Sequence, residues 1–262
     1  MTTNSNNIQT SSETNTVAKS ASVAIEIQGL CKTFGSKTVL KGFNLTLALG
    51  ENLVVLGKSG SGKSVLIKCI VRLINPNEGT LNVLGEDISE LNNTKLNELR
   101  KRVGFLFQSA ALYDSMTVRE NLEFPLRNSR TIKEEELDAI VSEALKNVGL
   151  LDAIDKMPSE LSGGMRKRVG LARTLILKPE IMLYDEPTTG LDPITSKEIS
   201  NLILNVREKY NTSSIIITHD ISCAKIIADR IIVLKDGACS AEGTFDELQQ
   251  SQDPEIRSYF EL

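Results

Sequence analysis

The glycine-rich stretch at residues 57–64 carries the clearest chemical pattern in the chain. It reads Gly-Lys-Ser-Gly-Ser-Gly-Lys-Ser, and it follows the apolar run Leu53 to Leu56 and precedes a segment of helical periodicity. Glycines let backbone N–H groups approach phosphate oxygens, and a helix start adds partial positive charge. The pattern predicts a nucleoside triphosphate cradle, with Lys63 on the β and γ phosphates and Ser64 on Mg²⁺. The predicted cradle comprises Gly57, Lys58, Ser59, Gly60, Ser61, Gly62, Lys63, Ser64 and Val65. The alternative is a glycine-rich turn, which the position between strand and helix disfavours.

Two carboxylates, Asp185 and Glu186, directly follow a second apolar run, Ile181 to Tyr184. At the end of a buried strand, one carboxylate can contact a metal while the next orients an attacking water. We therefore assign Asp185 to Mg²⁺ and Glu186 to the water. An acidic pair can also simply mark the point where a strand meets solvent, but the cradle upstream favours the chemical role.

Gln108 and His219 each follow a further apolar run, Val103 to Phe107 and Ile215 to Thr218 respectively. Ligands of open parallel sheets bind at the carboxyl ends of the strands. Four strand ends would therefore bring the cradle, the carboxylates, Gln108 and His219 to one crevice. A single histidine is more often structural than catalytic, but this placement favours a catalytic role for His219.

A second glycine-rich element precedes the helical segment Arg166 to Leu177 and consists of Ser162, Gly163, Gly164 and Met165. A serine followed by glycines at a helix start can also bind an anion. Because one ATP needs only one cradle, this element could serve the nucleotide of another chain. The alternative is an ordinary capped helix.

The elements that must position these residues indicate an α/β fold. Apolar runs alternate with helical segments, which predicts a mostly parallel core sheet. Residues 24–30 and 39–49 alternate apolar and polar, which predicts an antiparallel β layer. Strand signals are missing between residues 109 and 161, where a helix is expected from Thr131, so this segment is interpreted as an inserted helical subdomain. The expected organisation is a disordered polar tail (1–22), one domain (23–245) and a C-terminal helical tail (246–262).

Composition limits the functional classes. The formal net charge of −4 gives no basic field for nucleic acid. Apolar runs are too short to cross a bilayer, so any membrane role would be peripheral. The four cysteines have no CxxC spacing and are expected to be reduced, buried thiols, and the run Arg166 to Arg168 is interpreted as a solvated helix face.

The order and spacing of these motifs resemble an ABC transporter ATP-binding subunit over residues 23–245. The resemblance implies the ABC type of P-loop NTPase, with ATP and Mg²⁺ and hydrolysis involving Glu186, His219 and Lys63. It implies that Phe34 stacks on adenine and that His219 holds the γ phosphate. Gln108 would join Mg²⁺ to the membrane subunit. The element at 162–165 would complete the ATP site of a second copy in a head-to-tail dimer, whose interface includes Asp192.

Residues 107–121, 162–168 and 192–195 are similar to Mla-type phospholipid transport ATPases, which work with Mce-type lipid carriers. Met165 departs from the wider family, where most members carry Gln. The implied partners are a second copy, an integral membrane permease and an Mce-domain protein, at the cytoplasmic face of the bacterial inner membrane. The alternatives are a transporter of another hydrophobic or small solute, a soluble non-transport ABC protein and a non-hydrolysing nucleotide sensor.

Overall fold

The computed structural model describes residues 23–127 and 132–260. Its strands are β1 (Val23–Phe34), β2 (Lys37–Ala48), β3 (Asn52–Leu56), β4 (Glu78–Val83), β5 (Glu86–Asp87), β6 (Val103–Leu106), β7 (Ile181–Asp185), β8 (Ser213–Thr218), β9 (Arg230–Lys235) and β10 (Ala238–Gly243). Its α-helices are α1 (Lys63–Ile70), α2 (Asn93–Arg102), α3 (Val118–Glu123), α4 (Glu134–Asn147), α5 (Gly163–Leu175), α6 (Pro193–Tyr210), α7 (Ile221–Ile227), α8 (Phe245–Gln249) and α9 (Pro254–Ser258).

The central sheet has the strand order β10-β9-β3-β8-β7-β6. Neighbouring strands from β9 to β6 are parallel, and only the edge strand β10 pairs antiparallel. Every residue of β3, β7 and β8 is buried, because helices that include α5 and α6 cover one face of the sheet and β1, β2 and α1 cover the other. The predicted α/β class with a mostly parallel core sheet is confirmed.

Two hydrophobic cores lie on opposite faces of the central sheet. Val54, Tyr184 and Ile216 point into one core, and their neighbours Val55 and Leu183 point into the other. Successive side chains of a strand alternate between the faces, so each strand is fixed from both sides. Close packing on both faces makes the carboxyl ends of these strands a rigid platform for the loops that follow.

The second sheet has the order β2-β1-β4-β5 and is antiparallel. The predicted alternating segments form β1 and β2, with Ile27 opposite Leu45. β4 and β5 have no counterpart among the predicted strands. The first three residues of β4, Glu78 to Thr80, are exposed and none has a hydrophobic side chain. β5 has only two residues. Neither strand therefore shows the alternation of apolar and polar residues from which a strand can be predicted.

The segment from 109 to 161 contains helices and no strand within its described residues. α4 begins at Glu134, while the expected helix start at Thr131 lies outside the described residues, as does the tail at 1–22. Val141, Leu145 and Val148 pack α4 and its end into the core.

The C-terminal part begins with the hairpin β9–β10, which turns at Asp236 and Gly237. The helical tail is divided into α8 and α9, and Pro254 occupies the first turn of α9, where the missing N–H is not needed. Phe260 is fully buried and meets Phe245 edge to face, with ring centres 5.3 Å apart.

Two sequence interpretations concern the whole chain. None of the helices in the described part is long and apolar enough to cross a bilayer. The cysteine expectation is half wrong: all four thiols are free, but only Cys69 and Cys223 are buried, whereas Cys31 is half-buried and Cys239 lies exposed on the edge strand β10.

Candidate functional site

The loop between β3 and α1 is built so closely against its neighbours that two of its glycines have no room for a side chain. A Cβ on Gly57 would lie 2.5 Å from the carbonyl oxygen of Leu234. A Cβ on Gly62, which has φ +109°, would lie 2.9 Å from the carbonyl oxygen of Val39. The backbone can therefore wrap around a phosphate group at the start of α1, which is the cradle that the sequence predicts.

Lys63 is folded back over this loop. Its ammonium donates to the carbonyl oxygens of Gly57 (2.7 Å) and Lys58 (3.3 Å) and lies 3.9 Å from a carboxylate oxygen of Glu186. Burial lowers the pKa of Lys63, while the charges of Glu186 and Asp185 act in the opposite direction. The ammonium thus has two uncharged carbonyl partners, which the charged oxygens of a phosphate can replace.

Ser64 and Asp185 bring two oxygen ligands together from different elements. The Ser64 hydroxyl donates to the Asp185 carboxylate at 3.0 Å. Burial raises the pKa of Asp185, and the hydrogen bond from Ser64 partly offsets this. Mg²⁺ prefers a few protein oxygens together with phosphate and water oxygens, so this pair fits the predicted ion.

Glu186 lies just beyond β7 in a conformation that is unusual for a residue with a side chain, with φ +51°. Its N–H donates to the carbonyl oxygen of Ile217 at 2.8 Å, which ties it to β8. Its carboxylate accepts a hydrogen bond from the Thr189 hydroxyl (3.0 Å) and lies 2.8 Å from Nδ1 of His219. The Glu186 side chain is 12% exposed and that of His219 is 62% exposed, so the histidine faces the open cleft.

These groups meet in one cleft of about 570 Å³. Its lining residues are Phe34, Val39, Ser59, Gly60, Gly62, Lys63, Ser64, Val65, Gln108, Glu186 and His219. Phe34 is 47% exposed rather than a core aromatic, with the Lys32 ammonium 4.9 Å from its ring centre. Lys58 and Ser61 line an adjoining pocket on the other side of the loop.

The second glycine-rich element lies away from the cleft. Ser162 caps α5, and its hydroxyl accepts a hydrogen bond from the Met165 N–H at 3.2 Å. A Cβ on Gly164 would lie 2.5 Å from Cγ2 of Thr195, so α5 approaches the start of α6 closely. Asp192 caps α6, and its hydrogen bonds to Thr195 lower the pKa of its carboxyl group. Nine predicted residues are absent from the cleft lining. Four of them, Gly57, Lys58, Ser61 and Asp185, belong to the loop or to the strand end beside it, and the other five are Ser162, Gly163, Gly164, Met165 and Asp192.

One expectation from the sequence is wrong. Lys167, interpreted with Arg166 and Arg168 as a solvated helix face, is 6% exposed, and its ammonium donates to the backbone carbonyl oxygen of Glu186 at 3.0 Å. Burial lowers the pKa of Lys167. A signal was present in the spacing, because Gly164, Lys167 and Leu171 share one helix face and all three are buried.

Val39 and Thr189 are further site residues that the sequence did not single out. Val39 lines the cleft from β2, and Thr189 donates to the catalytic candidate Glu186. Neither has a residue type that points to chemistry, so no pattern in one sequence separates them from their neighbours.

Residues 40–189, which include the cradle, the two carboxylates and the second glycine-rich element, match the family model described as ABC transporter. The chain belongs to the ABC transporter family. A solved ABC relative, a dimeric ATP-binding cassette in a post-hydrolysis state with ADP and phosphate bound, superimposes with a TM-score of 0.77 at 32% identity. The match covers 84% of this ABC chain and 98% of that chain.

Two curated relatives extend the comparison of this ABC chain. The intermembrane phospholipid transport system ATP-binding protein MlaF of Haemophilus influenzae is 40% identical over 229 residues, which cover 87% of each protein. The probable ribonucleotide transport ATP-binding protein mkl of Mycobacterium tuberculosis is 41% identical over 237 residues, which cover 90% of this chain. The chain spans only 66% of the length of that mycobacterial protein.

Proposed function

We propose that the chain is the ATP-hydrolysing subunit of an ABC transporter that moves phospholipid. The observation that carries the hydrolytic role is the position of Glu186, whose carboxylate lies in the same cleft as the glycine-rich loop and 3.9 Å from the Lys63 ammonium. A carboxylate held beside a phosphate cradle and a metal-binding pair is the arrangement that phosphoryl transfer to water requires. This arrangement disfavours a sensor that only binds nucleotide.

Binding of ATP is assigned to the loop and to Phe34. Backbone N–H groups at the start of α1 and the Lys63 ammonium would take the phosphates, while the exposed ring of Phe34 would stack on the adenine. Ser64, Asp185 and Gln108 are assigned to Mg²⁺, which supplies charge neutralisation at the β and γ phosphates. Lys63 then exchanges its carbonyl partners at Gly57 and Lys58 for phosphate oxygens.

Hydrolysis is assigned to Glu186 and His219. Glu186 would accept a proton from the attacking water while the bond between the γ phosphorus and its bridging oxygen breaks and ADP leaves. The contact with Nδ1 of His219 orients the carboxylate, and the exposed part of the imidazole ring is free to donate to the γ phosphate. Lys63 stabilises the charge that develops on the phosphoryl oxygens.

The element at 162–165 supports a working unit of two chains. Ser162 and Asp192 cap α5 and α6, and neither residue lines the cleft of its own chain, so these two helix starts are available to an ATP held by a second copy. A head-to-tail pair would close around two ATP molecules and open after hydrolysis. Each site would combine Lys63 and Glu186 of one chain with Ser162 of the other.

The membrane partner is assigned to the surface around Gln108 and the helical insertion. Tyr113 and Phe124 are both exposed there, with ring centres 4.7 Å apart. An exposed aromatic pair suits the apolar side of a permease helix. The chain would work at the cytoplasmic face of the bacterial inner membrane and with an Mce-domain lipid carrier.

The phospholipid cargo is supported by similarity to MlaF along 87% of both proteins. The name of the mycobacterial relative supports a second candidate, because that protein is described as a probable ribonucleotide transport component. ATP chemistry is common to both candidates, so the cargo must be tested with the membrane partners present.

The hydrolytic role is tested by Glu186→Gln, which keeps the shape of the side chain and removes its ability to take a proton. We expect kcat for ATP to fall by about 100-fold or more, while the Kd for ATP stays within about twofold. Glu160→Gln, a change at an exposed glutamate in a short 3-10 helix, is the matched control and should keep wild-type kcat. Wild-type hydrolysis by Glu186→Gln would remove the proposed role.

The cargo is tested by gentle solubilisation of native membranes and mass spectrometry of what copurifies with the tagged chain, lipids included. A permease, an Mce-domain protein and bound phospholipid are the expected result. A complex without lipid whose ATPase is stimulated by ribonucleotides would overturn the phospholipid assignment and keep the transporter. Recovery of ribosomes or chromatin instead would favour a soluble ABC protein.

A further inference from the structure

Lys167 is a buried charge for which the proposed hydrolysis has no role. It lies in α5 at 6% exposure, and its ammonium donates a hydrogen bond to the backbone carbonyl oxygen of Glu186, 3.0 Å away. Among the residues that the structure describes, no carboxylate lies within ion-pairing distance of its ammonium. Burial of this ammonium is unfavourable, and the more distant charges of Glu186 and Asp185 offset only part of the effect, since the pKa of Lys167 is lowered. The hydrogen bond to the Glu186 carbonyl oxygen is therefore the contact whose role calls for an explanation.

The peptide that Lys167 contacts is strained. Glu186 has φ +51°, a region that residues with a side chain rarely occupy, and such residues persist only when their surroundings hold them. The Glu186 N–H is held by its hydrogen bond to the carbonyl oxygen of Ile217 at 2.8 Å. On the carbonyl side, the Thr189 N–H is 3.4 Å away and the Lys167 ammonium is closer, at 3.0 Å.

Relaxation of the Glu186 backbone would move the carboxylate. A change of φ away from +51° rotates Cβ about the N–Cα bond, so it would shift the carboxylate relative to His219 and Thr189, its present neighbours at 2.8 and 3.0 Å. A displacement of about 1 Å in a reacting group can cost about 100-fold in rate. The strained conformation therefore supports hydrolysis only while both the N–H and the carbonyl oxygen of Glu186 keep their hydrogen bonds.

We propose that Lys167 is a positioning residue for hydrolysis, which holds the strained peptide of Glu186 so that the carboxylate faces the cleft. The inference rests on the proposed function and adds a residue to the same site. Lys167 follows Ser162 by five positions on α5, a rise of about 7.5 Å. The helix whose start is assigned to the ATP of a second copy thus also holds Glu186 of its own chain.

The test compares three variants of the full chain. Lys167→Met keeps an unbranched apolar stem and removes the donor, and Lys167→Gln keeps an uncharged donor on a stem one bond shorter. Lys101→Met, at an exposed lysine of α2 paired with Glu98, is the control for loss of a charge. We measure kcat, KM for ATP and the Kd for ATP of each.

We expect Lys167→Met to lower kcat by about tenfold or more, the effect of losing a charged hydrogen bond, with KM and Kd within about twofold. Lys167→Gln should lower kcat by about threefold at unchanged KM, and the control should match wild type. Wild-type kcat in Lys167→Met overturns the inference. If that variant does not fold, a raised KM at unchanged kcat in Lys167→Gln does the same.

A second readout separates positioning from general support of α5. In the Glu186→Gln background hydrolysis is strongly reduced, so ATP-induced dimer formation, which requires an intact start of α5, can be measured separately from turnover. We expect the Lys167→Met change to leave this dimer intact. Loss of the dimer in parallel with kcat would assign Lys167 a structural role and overturn the inference. Equal turnover in wild type and Glu186→Gln would instead overturn the proposed function itself.

Discussion

At the scale of single residues, the candidate site keeps charges where burial disfavours them. The Asp185 carboxyl has a raised pKa and Lys63 a lowered one, and burial is the largest cause of both shifts. Active sites commonly carry such groups at the expense of stability, because the ligand supplies the missing partners. Nucleotide and Mg²⁺ should therefore stabilise this chain by meeting charges that the protein alone leaves poorly paired.

Asp185→Asn should raise the thermal stability of the nucleotide-free chain and abolish its Mg²⁺-dependent hydrolysis. Asn has no charge to desolvate and can still accept the Ser64 hydrogen bond. A gain of 1 kcal/mol corresponds to about 2–4 °C in Tm for a chain of this size, and we expect a shift of at least this order. Calorimetry of the nucleotide-free protein and an ATPase assay measure the two effects.

The stability gain of Asp185→Asn should depend on pH with a definite sign. Because the folded-state pKa of Asp185 is raised, its contribution to stability is greatest at low pH, where it is protonated, and is lost as pH rises through that pKa. The Tm difference between variant and wild type should therefore shrink as the pH is lowered towards and through the raised pKa of Asp185. Asp155→Asn, at a carboxylate that is 83% exposed, is the control, and a gain as large as that of Asp185→Asn would contradict the explanation.

At the scale of elements, the helix starts divide into two groups. α1 begins at the cleft without a side-chain cap, whereas α5 and α6 begin elsewhere and are capped by Ser162 and Asp192. An uncapped helix start leaves backbone N–H groups available to an anion. At the starts of α5 and α6, the cap already satisfies some of the backbone N–H groups within the chain. These helix starts can therefore remain without a ligand until a second chain brings its ATP.

Ser162→Ala should impair ATP hydrolysis without impairing the binding of ATP to the chain's own cleft. Loss of the hydrogen bond to the Met165 N–H removes the cap of α5 at a cost of about 1 kcal/mol. We expect kcat to fall by about tenfold or more, with the Kd for ATP unchanged, because Ser162 does not line the cleft of its own chain.

The control for Ser162→Ala is Thr244→Ala, which removes the cap of α8 by the same chemistry. It should cost similar stability and leave kcat unchanged. Equal loss of kcat in the two variants would mean that the effect of Ser162→Ala comes from destabilisation alone. Denaturant titration of both proteins supplies the stability values.

The elements also explain which parts of the structure could be predicted. β3, β7 and β8 are buried on both faces, so their sequences are continuous apolar runs that a reader can find. β4 is largely exposed and pairs with residues about fifty positions away, so its strand character depends on β1 and is not local.

The residues of the candidate site also divide into those that local sequence reveals and those that depend on contacts between distant parts of the chain. Gly57 to Ser64 could be found because their conformation and chemistry depend on local residue types. Lys167 could not, because its role depends on the approach of α5 to the end of β7, and a lysine in a basic run is ordinarily solvated.

At the scale of the whole molecule, the position of Ser162 and Asp192 outside the cleft predicts a nucleotide-dependent change of oligomeric state. Glu186→Gln with ATP and Mg²⁺ should sediment as a dimer, and the same protein with ADP as a monomer. Sedimentation velocity at several protein concentrations makes the measurement. The double variant Ser162→Ala and Glu186→Gln is the control and should stay monomeric with ATP. A dimer of equal strength in the double variant would exclude a role for Ser162 between chains.

The strand order has a consequence for how the protein is made. β3, which leads into the phosphate loop, lies between β8 and β9, so its neighbours in the sheet belong to residues 213–218 and 230–235. Ribosomes add about 5–20 residues per second, so the emerging loop waits roughly ten seconds or more for the strands that hold it. During translation, then, ATP cannot act as a ligand that helps the early chain to fold. Nascent chains arrested before residue 213 should not bind nucleotide, whereas the released protein should.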